Sequence, residues 1–184
     1  MNKSIEYSVV RSQMMKLWKE VFGDSDDYIA LLFDHYFKMN RIEYYEESRR
    51  IVSSLLSIDY ILGNKLSIVD SKLNTRYLCG LATDQDYRGQ GIMTKLIDNA
   101  IKSAYNDNIA FVFLLPANDG LINYYHDRCF VSMSYNRNEY YFDNYDFINR
   151  NIDINNGSCY NILNLTAFIK ERNCSCDSVL DKYY

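Results

Sequence analysis

The sequence predicts a mixed α/β (α+β) domain, and three observations predict it. Two amphipathic helical stretches open the chain, and a block of residues with strand periodicity follows. A strand, a glycine loop, a helix and an all-apolar strand then come in succession, before a short helix and a hairpin. Of the 184 residues 48% are apolar, enough for a sizeable core; with 18 tyrosines and a single proline, Pro116, the chain reads as packed, with few rigid linkers.

Ile5 to Val10 has the composition of a short first strand. Ser12 can cap a helix whose apolar positions Met14, Leu17, Trp18, Val21 and Phe22 fall at three-and-four spacing, stopped by Gly23-Asp24. Ser25 begins a second helix, with Asp26 and Asp27 favourable in its first turn and Ile29, Leu32, Phe33, Tyr36 and Phe37 as its stripe. Ile42 to Glu46 and Arg50 to Leu62 read as strands joined by a turn at Glu47-Ser48-Arg49. In the second strand Val52, Leu56, Ile58, Tyr60 and Leu62 share a face, broken at Ser54. Gly63-Asn64 reads as the next hairpin turn and Leu66 to Val69 as a short strand. Arg76 to Thr83 is the strand before the glycine loop.

Met93 to Tyr105 forms a helix with Leu96, Ile97, Ala100, Ile101 and Ala104 on one side, stopped by Asn106-Asp107-Asn108. Ile109 to Leu115 is a continuous apolar run, as expected of a strand covered on both faces. Asp119 to Arg128 reads as a short helix, and Phe130 to Ser134 with Glu139 to Phe142 as a hairpin around Asn136-Arg137-Asn138. The composition then turns rich in Asn and Asp. A domain over 1–142 and a C-terminal extension over 143–184 are expected, the latter with a strand at Ser158 to Leu165 and a short helix at Thr166 to Arg172.

The formal net charge of -4 argues against a nucleic-acid partner, because nucleic-acid-binding domains carry a basic surface. No apolar run reaches the ~18 residues of a membrane span, and the N-terminus lacks a secretory pattern, so a cytoplasmic protein with no membrane partner is expected. The five cysteines are an odd count without a secretory context, which predicts reduced thiols. Cys174-Ser175-Cys176 is their only close pair, and with His35 and His126 far away in sequence no metal site is expected.

The chemistry-bearing stretch is Arg88-Gly89-Gln90-Gly91-Ile92-Met93, between a strand and a helix. Backbone N–H groups at a helix N-terminus bind phosphate, and glycines let the backbone approach an anion closely. No Lys-Ser or Lys-Thr follows at the spacing of a nucleotide-hydrolysing phosphate loop. The loop alone equally fits a plain turn before a helix.

The loop and the order of elements resemble the GCN5-related N-acetyltransferase (GNAT) superfamily. Arg88 matches the first position of that family's acetyl-CoA loop and Gly91 its required Gly, while Met93 replaces the usual last small residue. This variant, with Leu17 to Ser25, is similar to the branch of the enhanced intracellular survival acetyltransferases. Asn118, Tyr125 and Phe130 match the family's second block, with Cys129 where Gly is usual. The resemblance covers about residues 1–142. It implies a mostly antiparallel central sheet flanked by helices, with splayed central strands. It also implies acetyl-CoA as co-substrate, and transfer of its acetyl group to a primary amine of a small molecule or peptide. It puts the co-substrate on Leu81, Ala82, Thr83, Arg88, Gly89, Gln90, Gly91, Ile92, Met93 and Asn118. Tyr125 is the implied general acid.

The base stays open. Many family members carry a Glu on the strand before the loop, and Tyr77 to Ala82 here holds no carboxylate. His126, beside Tyr125, is expected at the surface. Tyr44, Tyr45, Tyr60 and Tyr124 are candidates for an acceptor wall. A non-catalytic acyl-CoA-binding module is the alternative reading, and a homo-oligomer is left open.

Overall fold

The computed structural model describes residues 3–64, 72–134, 140–142 and 166–171. They belong to two compact units, Met1–Ile58 with Leu78–Ser103 and Asp59–Tyr77 with Ala104–Tyr184.

The first unit opens with α1 (Lys3–Phe22) and α2 (Asp26–Tyr36). A strand was expected at Ile5 to Val10, with Ser12 as a cap; instead one helix runs through both. Val10, Met14, Leu17 and Trp18 are all buried, so the apolar stripe begins before Ser12, and its helical spacing overrides the strand preference of Val9 and Val10. Ser25 caps α2, its Oγ accepting from the Tyr28 N–H at 3.3 Å. The two helices pack on each other. Trp18 meets Phe33 edge-on, with ring centroids 5.7 Å apart.

An antiparallel hairpin follows, β1 (Ile42–Glu47) and β2 (Arg50–Asn64), paired from Ile42↔Leu56 to Glu47↔Arg50. Its turn is at the expected place. Ser48 and Arg49 both have positive φ (49° and 66°), the backbone a two-residue hairpin loop requires. Residues 51–58 of β2 are all buried, so both faces of the strand are covered rather than the single apolar face expected. The last part of β3 (Lys72–Thr83) lies beside β2. Within it Gly80 has φ +59°, and a Cβ there would stand 2.0 Å from Trp18 Cζ3. The indole therefore fills the space that any other residue's side chain would need. Helix α3 (Ile92–Asn106) buries Ile92, Leu96, Ile97 and Ala100 along one side, as its spacing predicts.

The second unit holds the other ends of β2 and β3, with β4 (Phe111–Leu114), α4 (Ile122–His126), β5 (Val131–Ser134), β6 (Tyr140–Phe142) and β7 (Thr166–Glu171). The Ala110 N–H donates to Asn74 O at 2.8 Å, so β3 and β4 start side by side, as a parallel pair joined by a helical crossover does. All other pairings with a described register are antiparallel.

Three expectations are corrected here. Thr166 to Glu171 is a strand and not a helix. It lies between β4 and β5 and pairs with both, and hydrogen bonds on two edges outweigh a weak local preference. The expected 130–142 hairpin does not form: β5 pairs with β7, and β6 pairs with β2. Gly63-Asn64 continues β2 against β6 instead of turning. Leu66 to Val69, Asn136-Arg137-Asn138 and Ser158 to Leu165 lie outside the described residues.

Arg76 of β3 is 1% exposed, and its Nε and Nη2 donate to Asp59 Oδ1 at 2.7 Å and Asp107 Oδ2 at 2.8 Å. Beside it Tyr77 stacks on Phe113 at 5.2 Å, and Tyr60, offered above for an acceptor wall, is buried against both.

Candidate active site

In the first unit β3 ends at Thr83, and Asp84 turns the chain. Its N–H donates to Val52 O at 2.9 Å and its carboxylate pairs with Arg50. That carboxylate also accepts from the Asp86 N–H at 3.0 Å, starting a single 3-10 turn over Gln85–Tyr87. The Arg88 N–H closes the turn onto Gln85 O. Gly89 and Gly91 follow with φ +75° and +72°, and a Cβ built on either meets nothing within 4 Å. The loop thus faces open space and is wound in a backbone conformation that glycine adopts at little cost.

Helix α3 begins directly afterwards, with Lys95 donating to Gly91 O at 3.2 Å. The N–H groups of Gly89, Gly91, Ile92 and Met93 donate to no acceptor among the described residues. Unsatisfied donors in the first turn of a fifteen-residue helix carry its positive partial charge. The loop therefore presents donors without an acceptor among the described residues, and room beside its glycines, which fits a diphosphate. Arg88 is exposed, and its Nε donates to Thr83 O at 3.0 Å. Gln90 is tied through Nε2 to Asp86 O at 3.2 Å. Both polar side chains of the loop brace its backbone.

The strand end is equally held. Ala82 is fully buried, while Leu81 and Thr83 are half-buried. Ser53 of β2 donates its hydroxyl toward Ala82 O at 3.2 Å and shares a hydrogen bond with Thr83 Oγ1 at 2.9 Å. Leu81, Ala82, Thr83 and residues 88–93 are thus gathered on one strand–loop–helix segment. Glu43 of β1 is a half-buried carboxyl that the sequence reading passes over. Burial raises its pKa, against a hydrogen bond with Asn99 that lowers it. No sequence pattern signals that environment, because it brings β1 together with Asn99 of α3, distant in sequence.

In the second unit Asn118 stands at the N-cap of a 3-10 turn over Asp119–Leu121. Its side chain makes no capping hydrogen bond, and its carbonyl accepts from the Leu121 N–H at 3.1 Å. Tyr125, on α4, is buried and meets Tyr124 edge-on at 5.2 Å and Phe130 at 6.0 Å. Tyr125 O accepts from the N–H groups of Arg128 and Phe130, at 3.0 and 3.1 Å. Cys129 between them has φ +62°, the left-handed conformation that explains the glycine usual at this place in the resembling family. The Tyr125 phenol is pushed up to about 12, first by burial and then by Tyr124, with Arg128 acting in the opposite direction. It therefore stays protonated where an ordinary phenol, near 10, already ionises. His126 is exposed, as expected. Cys79 is a free, buried thiol. Among the described residues no metal-holding cluster occurs, and no helix is long and apolar enough to cross a membrane. Cys174 and Cys176 lie outside them.

Comparison with known proteins bears on the family and the fold. The model of the acetyltransferase (GNAT) domain family matches residues 10–128. No curated protein matches the chain. Among solved structures, the GNAT family N-acetyltransferase YhbS from Escherichia coli in complex with CoA is 18% identical. It aligns over 66% of this chain and 63% of its own, with a TM-score of 0.51. The Bacillus subtilis N-acetyltransferase YlbP in complex with coenzyme A aligns over 86% and 89% at 10% identity and TM-score 0.53. Eis1 from Mycobacterium abscessus aligns over 62% of this chain at 10% identity and TM-score 0.52. This chain spans only 28% of the length of Eis1. At such identities the structures speak to the fold, and the family match, covering more than half of the sequence, speaks to descent. The chain belongs to the GNAT acetyltransferase family.

Proposed function

We propose that this protein is an N-acetyltransferase that moves an acetyl group from acetyl-CoA to a primary amine of a small molecule or peptide. The observation that carries the reading is the strand–loop–helix segment, where N–H groups without an acceptor among the described residues adjoin open space at Gly89 and Gly91. Bound there, acetyl-CoA supplies an acetyl thioester already activated for attack by an amine.

The chain's own groups do the rest. The N–H donors of residues 89–93 hold the pyrophosphate by charge-assisted hydrogen bonds. A backbone N–H near Leu81 to Thr83 donates to the thioester oxygen, where negative charge grows as the amine attacks. The Tyr125 hydroxyl gives its proton to the departing sulfur, and a phenol held near 12 keeps that proton until it is needed. Asn118 is a further co-substrate contact in this reading. The net charge of -4 favours a cationic acceptor. Cytoplasmic residence and the absence of a nucleic-acid partner are part of the same proposal. The lack of a carboxylate on Tyr77 to Ala82 favours a second reading, a non-catalytic acyl-CoA-binding module.

Calorimetry with coenzyme A, together with thiol release from acetyl-CoA over a panel of amines, separates these. Binding with release supports the enzyme, binding without release supports the module, and no binding at millimolar ligand sinks both. Gly91→Asp is expected to fold, because nothing crowds the position and Asp tolerates positive φ. It should weaken coenzyme A at least about tenfold by setting a carboxylate against the diphosphate. Tyr125→Phe is expected to cut turnover about 10- to 100-fold with coenzyme A affinity unchanged. Wild-type turnover should show no alkaline limb from Tyr125 near 10, since its phenol ionises only about 12. A limb near 10 that disappears in Tyr125→Phe would contradict the buried, neutral acid.

A further inference from the structure

We infer that Ser53, on β2, is a positioning residue for acyl transfer, acting through Ala82 and Thr83; this rests on the proposed function. Ser53 is fully buried, yet its hydroxyl lies 3.2 Å from Ala82 O and 2.9 Å from Thr83 Oγ1. A buried serine on a strand otherwise suited to Val or Ile gives up apolar packing, and what it gains here is a fixed strand end. The neighbouring contacts tie down the same point. Asp84 N–H binds Val52 O, Asp84 pairs with Arg50, and Arg88 Nε binds Thr83 O. Within the first unit, β2 thus sets the orientation of the peptide planes that the proposal uses to polarise the thioester. Small errors in aiming such donors lower the rate more than they lower binding.

The test uses Ser53→Ala and the isosteric Thr83→Val in the full chain. Thiol release is measured against acetyl-CoA concentration, and coenzyme A affinity by calorimetry. Ser53→Ala should lose roughly tenfold in kcat while KM for acetyl-CoA and coenzyme A affinity stay within about twofold, and Thr83→Val should lose a similar factor in kcat. The double variant should be no slower than the worse single one, because both substitutions remove the same hydrogen bond. Wild-type kcat in Ser53→Ala overturns the inference, as do additive losses or a kcat loss that only follows the folded fraction. A wild-type chain that releases no thiol overturns the underlying acetyltransferase reading instead, so the two failures are distinguishable.

Discussion

Gly80→Ala is expected to destabilise the protein by about 3 kcal/mol or more, or to prevent its accumulation as a folded chain. Two costs combine. The position has φ +59°, where an L-residue costs about 1–2 kcal/mol. The new methyl would also lie 2.0 Å from Trp18 Cζ3 and 2.5 Å from Cε3, well inside any tolerated contact. The indole cannot simply step aside. Its Nε1–H is held by Asp24 Oδ2 at 2.7 Å, and its ring is packed against Phe22 and Phe33. Relief should therefore come from shrinking the tryptophan. Trp18→Leu will itself be costly, but Gly80→Ala should cost less in that background, leaving only the backbone term. Thermal unfolding of the four proteins of this cycle gives the coupling. Equal cost in both backgrounds would mean that the indole is not what excludes the methyl.

Removing both carboxylates around Arg76, as Asp59→Asn with Asp107→Asn, is expected to cost about 3–5 kcal/mol. The asymmetry of the cluster is the reason. The arginine side chain is 1% exposed, whereas those of Asp59 and Asp107 are 41% and 39% exposed. Without the two negative charges the guanidinium stays charged away from water and cannot give up its proton. The reverse change, Arg76→Met, leaves two carboxylates that water already reaches and puts an apolar stem in an apolar site. It should cost distinctly less than the double substitution. Urea unfolding of both variants decides the matter, and a larger loss for Arg76→Met would refute this account of the cluster.

Most of the candidate site is legible without coordinates. Arg88, Gly89 and Gly91 follow from local rules, because a glycine loop before a helix is a short-range feature, whereas Asn118 and Tyr125 follow from the family resemblance. The helices over 26–36 and 92–106 and the 48–49 turn follow likewise from periodicity and turn chemistry. Ser53, Gly80 and Arg76 are not legible, since their meaning lies in Thr83, Trp18 and Asp107, all at least thirty residues away.

The sequence by itself determined that a glycine loop stands between a strand and a helix, because that feature rests on neighbouring residues, and the family resemblance singled out Tyr125 as the candidate acid. Only the tertiary structure decided that Thr166–Glu171 is a strand and that β5 and β6 part company. Those outcomes depend on which distant edges come within reach. A strand's partner is chosen by pairing across space, where the local preference of a six-residue segment is too weak to prevail.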